Sequence, residues 1–208
     1  MKLFYAVLLL SIGFFNINAP ANSTPLTSIN TANGEDLSTL SIRWWQWVTN
    51  APDDLDPLAD DTGAHCNYAQ SGDVFFLAPS YSFDKVTRNC IIPKDKYIFF
   101  PVISIMRWDT GDGLSCDDLK KEVNAAINSA REMLSEVDGQ KLDGTRAATT
   151  SCFTIPGDED HYASDGYWIL LNPLSEGQHH LHFKGLIGNE AAMEDEYMQD
   201  IEYKINIK

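Results

Sequence analysis

The sequence predicts a mainly β fold: a jelly-roll-like β-sandwich with two helices packed against or beside it. Three observations carry that expectation. The chain ends in strict alternation, with Ile201, Tyr203, Ile205 and Ile207 on one face and Glu202, Lys204, Asn206 and Lys208 on the other. A period of two means one face on a core and one in water. Earlier runs such as Val74–Leu77, Val86–Ile92 and Tyr97–Ile105 are rich in β-branched and aromatic residues and bounded by turn signals, as packed strands are. Helical periodicity is confined to two stretches, about 36–50 and 116–134. With 208 residues, 44% of them apolar, the chain can fill one sizeable core.

In chain order, Lys2 precedes a 13-residue, almost wholly apolar run, Leu3–Phe15, and Ala19-Pro20-Ala21 follows. That pattern predicts a secretory signal over 1–21, cut after Ala21; the run is too short for a comfortable membrane span. Residues 22–35 are rich in Ser, Thr, Asn and Pro and are expected to form a flexible mature N-terminus. The domain proper is expected over 36–208. It opens on Leu37, Leu40, Trp44, Trp47 and Val48, a helical stripe that Asp36 or Ser38 can cap and Pro52 ends. Trp44 and Trp47 read as core anchors, while Trp45 points off the stripe. An acidic loop, 53–61, leads into the strands.

The second helix is expected from Cys116 to Leu134, with a capping-box-like Ser115 and Asp118 at its start and a stripe of Leu119, Val123, Ala126, Ile127, Ala130, Met133 and Leu134. Beyond it the chain returns to β: a hairpin signal at Asp138-Gly139, a buried run Tyr167–Leu171, and alternation from His179 to Lys184.

Four cysteines behind a signal peptide suggest two disulfides. Of three possible pairings, Cys66–Cys90 and Cys116–Cys152 are favoured because each closes a local loop. No two cysteines lie closer than 24 positions, which argues against structural zinc.

The block Ser41-Ile42-Arg43-Trp44-Trp45-Gln46-Trp47, followed in order by Gln70–Ala78, Arg88–Pro101, Val137-Asp138-Gly139 and Gly177-Gln178-His179, resembles a group of uncharacterised secreted bacterial proteins. The resemblance implies a secreted or periplasmic, disulfide-bonded, β-rich domain and no particular reaction. Asp95 stands where that group's turn would carry glycine.

Charge excludes some functions. The formal net charge is −15, which argues against nucleic acid and anionic lipid as partners. His180 and His182 would project from one strand face about 7 Å apart and could share a metal ion, although solvated histidines on the polar face of an edge strand are the simpler reading. Asp53 with Asp56, and Asp158 with Asp160, supply clustered oxygens suited to calcium, or simply to solvated loops. No G-x-S-x-G, Walker, H-E-x-x-H or G-x-G-x-x-G motif occurs. Trp45, Trp108 and Tyr81 could stack on sugar rings. The expectation is therefore a non-enzymatic binding module for a glycan, a surface or an extracellular protein, with no cofactor unless calcium. The alternative is an extracellular hydrolase or metal-dependent enzyme using His180, His182 and loop carboxylates.

Overall fold

The computed structural model describes residues 26–188 and 196–208. The expected secretory signal and its cleavage after Ala21 lie outside the described residues. A short hairpin comes first, β1 (Thr31–Ala32) with β2 (Glu35–Asp36), and runs directly into α1 (Leu37–Thr49). The strands β3 (Val74–Phe76), β4 (Val86–Ile92) and β5 (Tyr97–Trp108) follow, then α2 (Cys116–Asn128). The chain finishes with β6 (Arg131–Val137), β7 (Gln140–Lys141), β8 (Thr145–Arg146), β9 (Tyr162–Leu171), β10 (Gly177–Ile187) and β11 (Tyr197–Ile207).

Two sheets face one another, as expected of a sandwich: a five-stranded sheet ordered β4-β11-β10-β6-β7 and a four-stranded sheet ordered β3-β5-β9-β8. Two pairs are parallel, β4 with β11 and β3 with β5, which an all-antiparallel jelly roll would not contain. The main core lies between the sheets. Phe100, Ile169, Phe183 and Tyr203 are buried there among the alternating apolar residues of both inner faces, and the Phe100 and Phe183 rings pack tilted against each other, centroids 5.0 Å apart. Where β10 crosses β5 the sheets nearly touch. A Cβ on Gly185 would lie 2.8 Å from the Val102 carbonyl oxygen, so glycine is required there for packing.

The helices occupy opposite faces of the four-stranded sheet. Along β9 the odd positions Ile169 and Leu171 face the inter-sheet core, whereas Trp168 and Leu170 face away and bury Trp44, Leu40 and Trp47 of α1. Ala163, on the inner parity, packs Leu119 and Val123 of α2. The second helix thus shares a layer with the five-stranded sheet, and α1 forms a third layer. The α1 stripe is the one that its spacing predicts: Asp36 caps it through Thr39 N–H at 2.8 Å, and the Trp44, Phe99 and Trp168 rings pack edge-on and stacked behind it. The two disulfides are Cys66–Cys90 and Cys116–Cys152.

Three expectations need correction. The second helix stops at Asn128, not Leu134. Ser129 ends it, and Arg131–Val137 is a strand paired with β10; Ala130, Met133 and Leu134 fit either period, and the ladder decides. The stretch 22–35 is not a loose lead-in through its inner half, because Ser28 bridges Leu171, Ile29 N–H donates to Leu170, and 31–36 forms the hairpin. His180 and His182 lie on an inner strand of the five-stranded sheet rather than an edge strand. At the turn after β4, Asp95 adopts φ 65°, in the left-handed region that glycine enters most readily.

Candidate functional site

The site begins with where β3 ends. Leu77 N–H still donates to Phe99 across the parallel pair, at 3.0 Å. The next residue is then captured by the other sheet. Tyr203 Oη and Arg88 Nη1 both donate to the Ala78 carbonyl, at 2.7 and 2.8 Å, and Ala78 N–H donates to Tyr203 Oη. Arg88 is 1% exposed; a buried guanidinium must find acceptors, and here they are backbone carbonyls and a phenol. Pro79 follows and has no N–H to offer. The chain therefore leaves the margin of β5 after three paired residues.

Gln199 covers the next step of that margin, its Nε2 donating to the carbonyls of Pro101 (3.1 Å) and Val102, where β5 bulges. From Ser104 to Trp108 no strand pairs with this side of β5 among the described residues. The ladder fixes which main-chain groups are left. Gly166 and Ser164 of β9 use their carbonyls toward the β8 side, accepting from Ala147 and Thr149. Tyr167, Asp165 and Ala163 must therefore bond β5, through Ile103, Ile105 and Arg107. The N–H and C=O groups of Ser104, Met106 and Trp108 point outward. Only Met106 carbonyl has a described partner, the guanidinium of Arg107 at 3.2 Å.

A groove of about 950 Å³ runs along this open edge. Trp44, Trp45 and Thr49 wall it on the α1 side, and Glu122, Ala125 and Ala126 on the α2 side. Tyr81, Leu58 and Pro79 reach it from the loop after β3, and Glu196 and Tyr197 from the start of β11. All three aromatic candidates from the sequence, Trp45, Trp108 and Tyr81, line it. They differ in availability. Trp45 is half-buried and its Nε1 donates to Ser164 Oγ at 2.6 Å, whereas Tyr81 is 62% exposed and Trp108 42%. Trp108 rests on Tyr162, centroids 5.9 Å apart.

The rim is acidic. Partial burial and the Asp56 carboxylate beside it raise the Tyr81 hydroxyl pKa. Burial and the 2.5 Å hydrogen bond to Asp158 push Tyr162 up to about 12, and the same bond lowers Asp158. Just past Trp108, the Asp109 carboxylate accepts the N–H groups of Gly111, Asp112 and Gly113. Burial opposes ionisation there, and these donors outweigh it, so Asp109 is lowered. Among the described residues that line the groove, Arg107 is the one cation.

The other candidates lie elsewhere. His182 Nε2 meets Asp200 at 2.8 Å, and His180 Nε2 stands 3.7 Å from Glu202, which also pairs with Lys85 at 2.6 Å. The two imidazoles turn to different carboxylates on the outer face of the five-stranded sheet. Asp53 starts a short 3-10 turn, Asp56 accepts Leu58 N–H, and Asp158 accepts Asp160 N–H. Among the described residues no group of three or more His, Cys, Asp or Glu is placed to hold a metal ion.

Arg88, Tyr203 and Gln199 shape the edge, a role the sequence reading missed although it placed Tyr203 on the apolar face of the last strand. Each sits at an inward position of its strand, but their partners lie up to 125 residues away, and no local pattern announces them. No family model, curated protein or solved structure matches the chain.

Proposed function

We propose that this protein is an exported, non-enzymatic binding module and that the groove along β5 is its ligand site. The observation that carries the reading is the convergence of Trp45, Tyr81 and Trp108, from three separate parts of the chain, on one groove. Exposed aromatics beside an apolar cleft with a few polar groups on its rim are the usual make-up of a recognition site. Export is supported by the disulfides and by the resemblance of the Trp-rich block to secreted bacterial proteins. No helix among the described residues is long and apolar enough to cross a membrane. The candidate ligands are a glycan or an extracellular protein.

The test is a parallel screen of the folded protein, Trp108→Ala and Tyr81→Ala on a glycan array and a peptide display library. A ligand whose binding both variants lose, at unchanged thermal stability, supports the reading. Ligands bound equally by all three proteins would contradict it.

A further inference from the structure

The groove's floor is a strand edge rather than a side-chain surface, and among the described residues the margins of β3, β4 and β9 are covered. Gln70 brackets β3 at its rim, its Oε1 accepting Phe76 N–H at 2.9 Å and its Nε2 donating to Phe76 carbonyl at 2.8 Å. The outer margin of β4 is met by Thr62, whose carbonyl accepts Asn89 N–H at 2.9 Å, and the Cys66–Cys90 disulfide fastens that loop. The margin of β9 is paired from Leu171 to Tyr162. Proteins normally hide such edges, because a row of unpaired N–H and C=O groups templates a further strand. Among the described residues, Ser104, Met106 and Trp108 present such a row between two helical walls, with Ser104 itself buried and the Met106 carbonyl met only by the Arg107 guanidinium.

Resting on the reading of this groove as the ligand site, we propose that it recognises an extended, cationic segment of a partner polypeptide, which adds as a strand along Ser104–Trp108. The alternating main-chain donors and acceptors call for another polypeptide backbone, which gives affinity in strand addition while side-chain pockets give specificity. Five residues of edge span about 16 Å, so a segment of five to seven residues fills it. Charge selects the sign. Glu122 and Glu196 line the groove with Arg107, Glu196 being paired with Arg131, while Asp56 stands beside Tyr81 and Asp158 beside Tyr162, and the whole chain carries −15; a basic segment is attracted and an acidic one repelled. Tyr81 and Trp108 then cover its side chains.

The probe is a display library of random linear heptapeptides, followed by synthesis of the enriched sequences. Each is also made with N-methyl groups on alternate amides, in both phases. The enriched peptides should carry net positive charge and bind more weakly as salt rises. Methylation in one phase should weaken binding at least about tenfold while the other phase leaves it intact, since only one edge of the added strand faces β5. Met106→Pro should lose binding to a similar degree and still fold, because its N–H lies outside the ladder with β9. Absence of any enriched peptide, enrichment of acidic ones, or equal tolerance of both methylation phases would overturn the proposal. So would a dimer in sedimentation that Met106→Pro dissociates, which would assign the edge to a second copy of this chain. If a glycan binds and Trp108→Ala loses it while no peptide binds, the groove remains the ligand site and strand addition falls. Peptides bound equally by Trp108→Ala, Tyr81→Ala and Met106→Pro would remove both.

Discussion

The two margins of the four-stranded sheet were treated differently by the same chain. Beside β9, the N-terminal segment, β8 and the residues after it pair the edge from Leu171 to Tyr162. Beside β5, pairing stops at Phe99, a glutamine side chain extends cover to Val102, and Ser104–Trp108 is open among the described residues. The covered margin holds structure. Trp168 there is fully buried, donates to Ala147 carbonyl and stacks on Phe99 at 5.0 Å. The open margin holds exposed aromatics and main-chain groups that, among the described residues, no strand pairs. Under the proposed reading, an edge left unpaired between walls is one kept for recognition.

The largest expected effect contrasts one tryptophan from each margin. Trp168→Ala should cost about 3–5 kcal/mol in urea unfolding, the range for deleting a buried aromatic. Trp108→Ala removes a half-open ring and one aromatic contact, and should cost about 1 kcal/mol or less. Equal losses would erase the distinction between the margins.

The cover over β4 offers a second test. Asp60 anchors that loop by accepting from His65, Thr62 and Gly63 N–H groups and the Thr62 hydroxyl. Burial alone would raise its pKa; these bonds outweigh burial and bring it down to about 2. The folded value lies below the unfolded one of about 3.9, so the carboxylate's contribution is complete above about pH 4 and is lost as pH falls through 2. Asp60→Ala should destabilise by about 2–3 kcal/mol at neutral pH, and Asp60→Asn should flatten the stability profile between pH 4 and 2. A wild-type slope retained in the Asn variant would contradict this assignment.

Proline scanning sharpens the comparison at β5 itself. Arg107 N–H belongs to the ladder with β9 and Met106 N–H does not. Arg107→Pro should therefore cost about 1–2 kcal/mol more than Met106→Pro, the difference being a lost ladder bond and a stranded carbonyl. The smallest effect is expected on the outer face of the five-stranded sheet, where His180→Ala should change stability by less than about 0.5 kcal/mol, read by thermal unfolding.

Local chemistry made much of this fold legible in advance. The alternation of Ile201 to Ile207 marked β11, the Leu37–Val48 stripe marked α1, and short loop closure selected the two disulfides. Asp138-Gly139 marked the β6–β7 turn, where both residues adopt positive φ, 52° and 76°. The end of α2 was not legible, since Ala130, Met133 and Leu134 satisfy a helix as well as a strand until β10 supplies the ladder. Trp45, Tyr81 and Trp108 could be named as exposed aromatics, but nothing local shows that they share a groove. That depends on Ala78 being drawn to Arg88 and Tyr203 in the opposite sheet, an interaction spanning 125 positions. Parallel pairing of β3 with β5 and of β4 with β11 likewise joins segments through tertiary contacts that no window of sequence contains.

Residue-resolved amide exchange of the free protein tests the central claim most directly. An open β5 edge predicts fast exchange at Met106 and Trp108 alternating with slow exchange at Ile105 and Arg107, against protection at both parities of the covered β9 margin, as at Tyr162, Ser164 and Leu170 with Ala163 and Asp165. Uniform protection from Ser104 to Trp108 would show that the edge is already paired and would contradict the account.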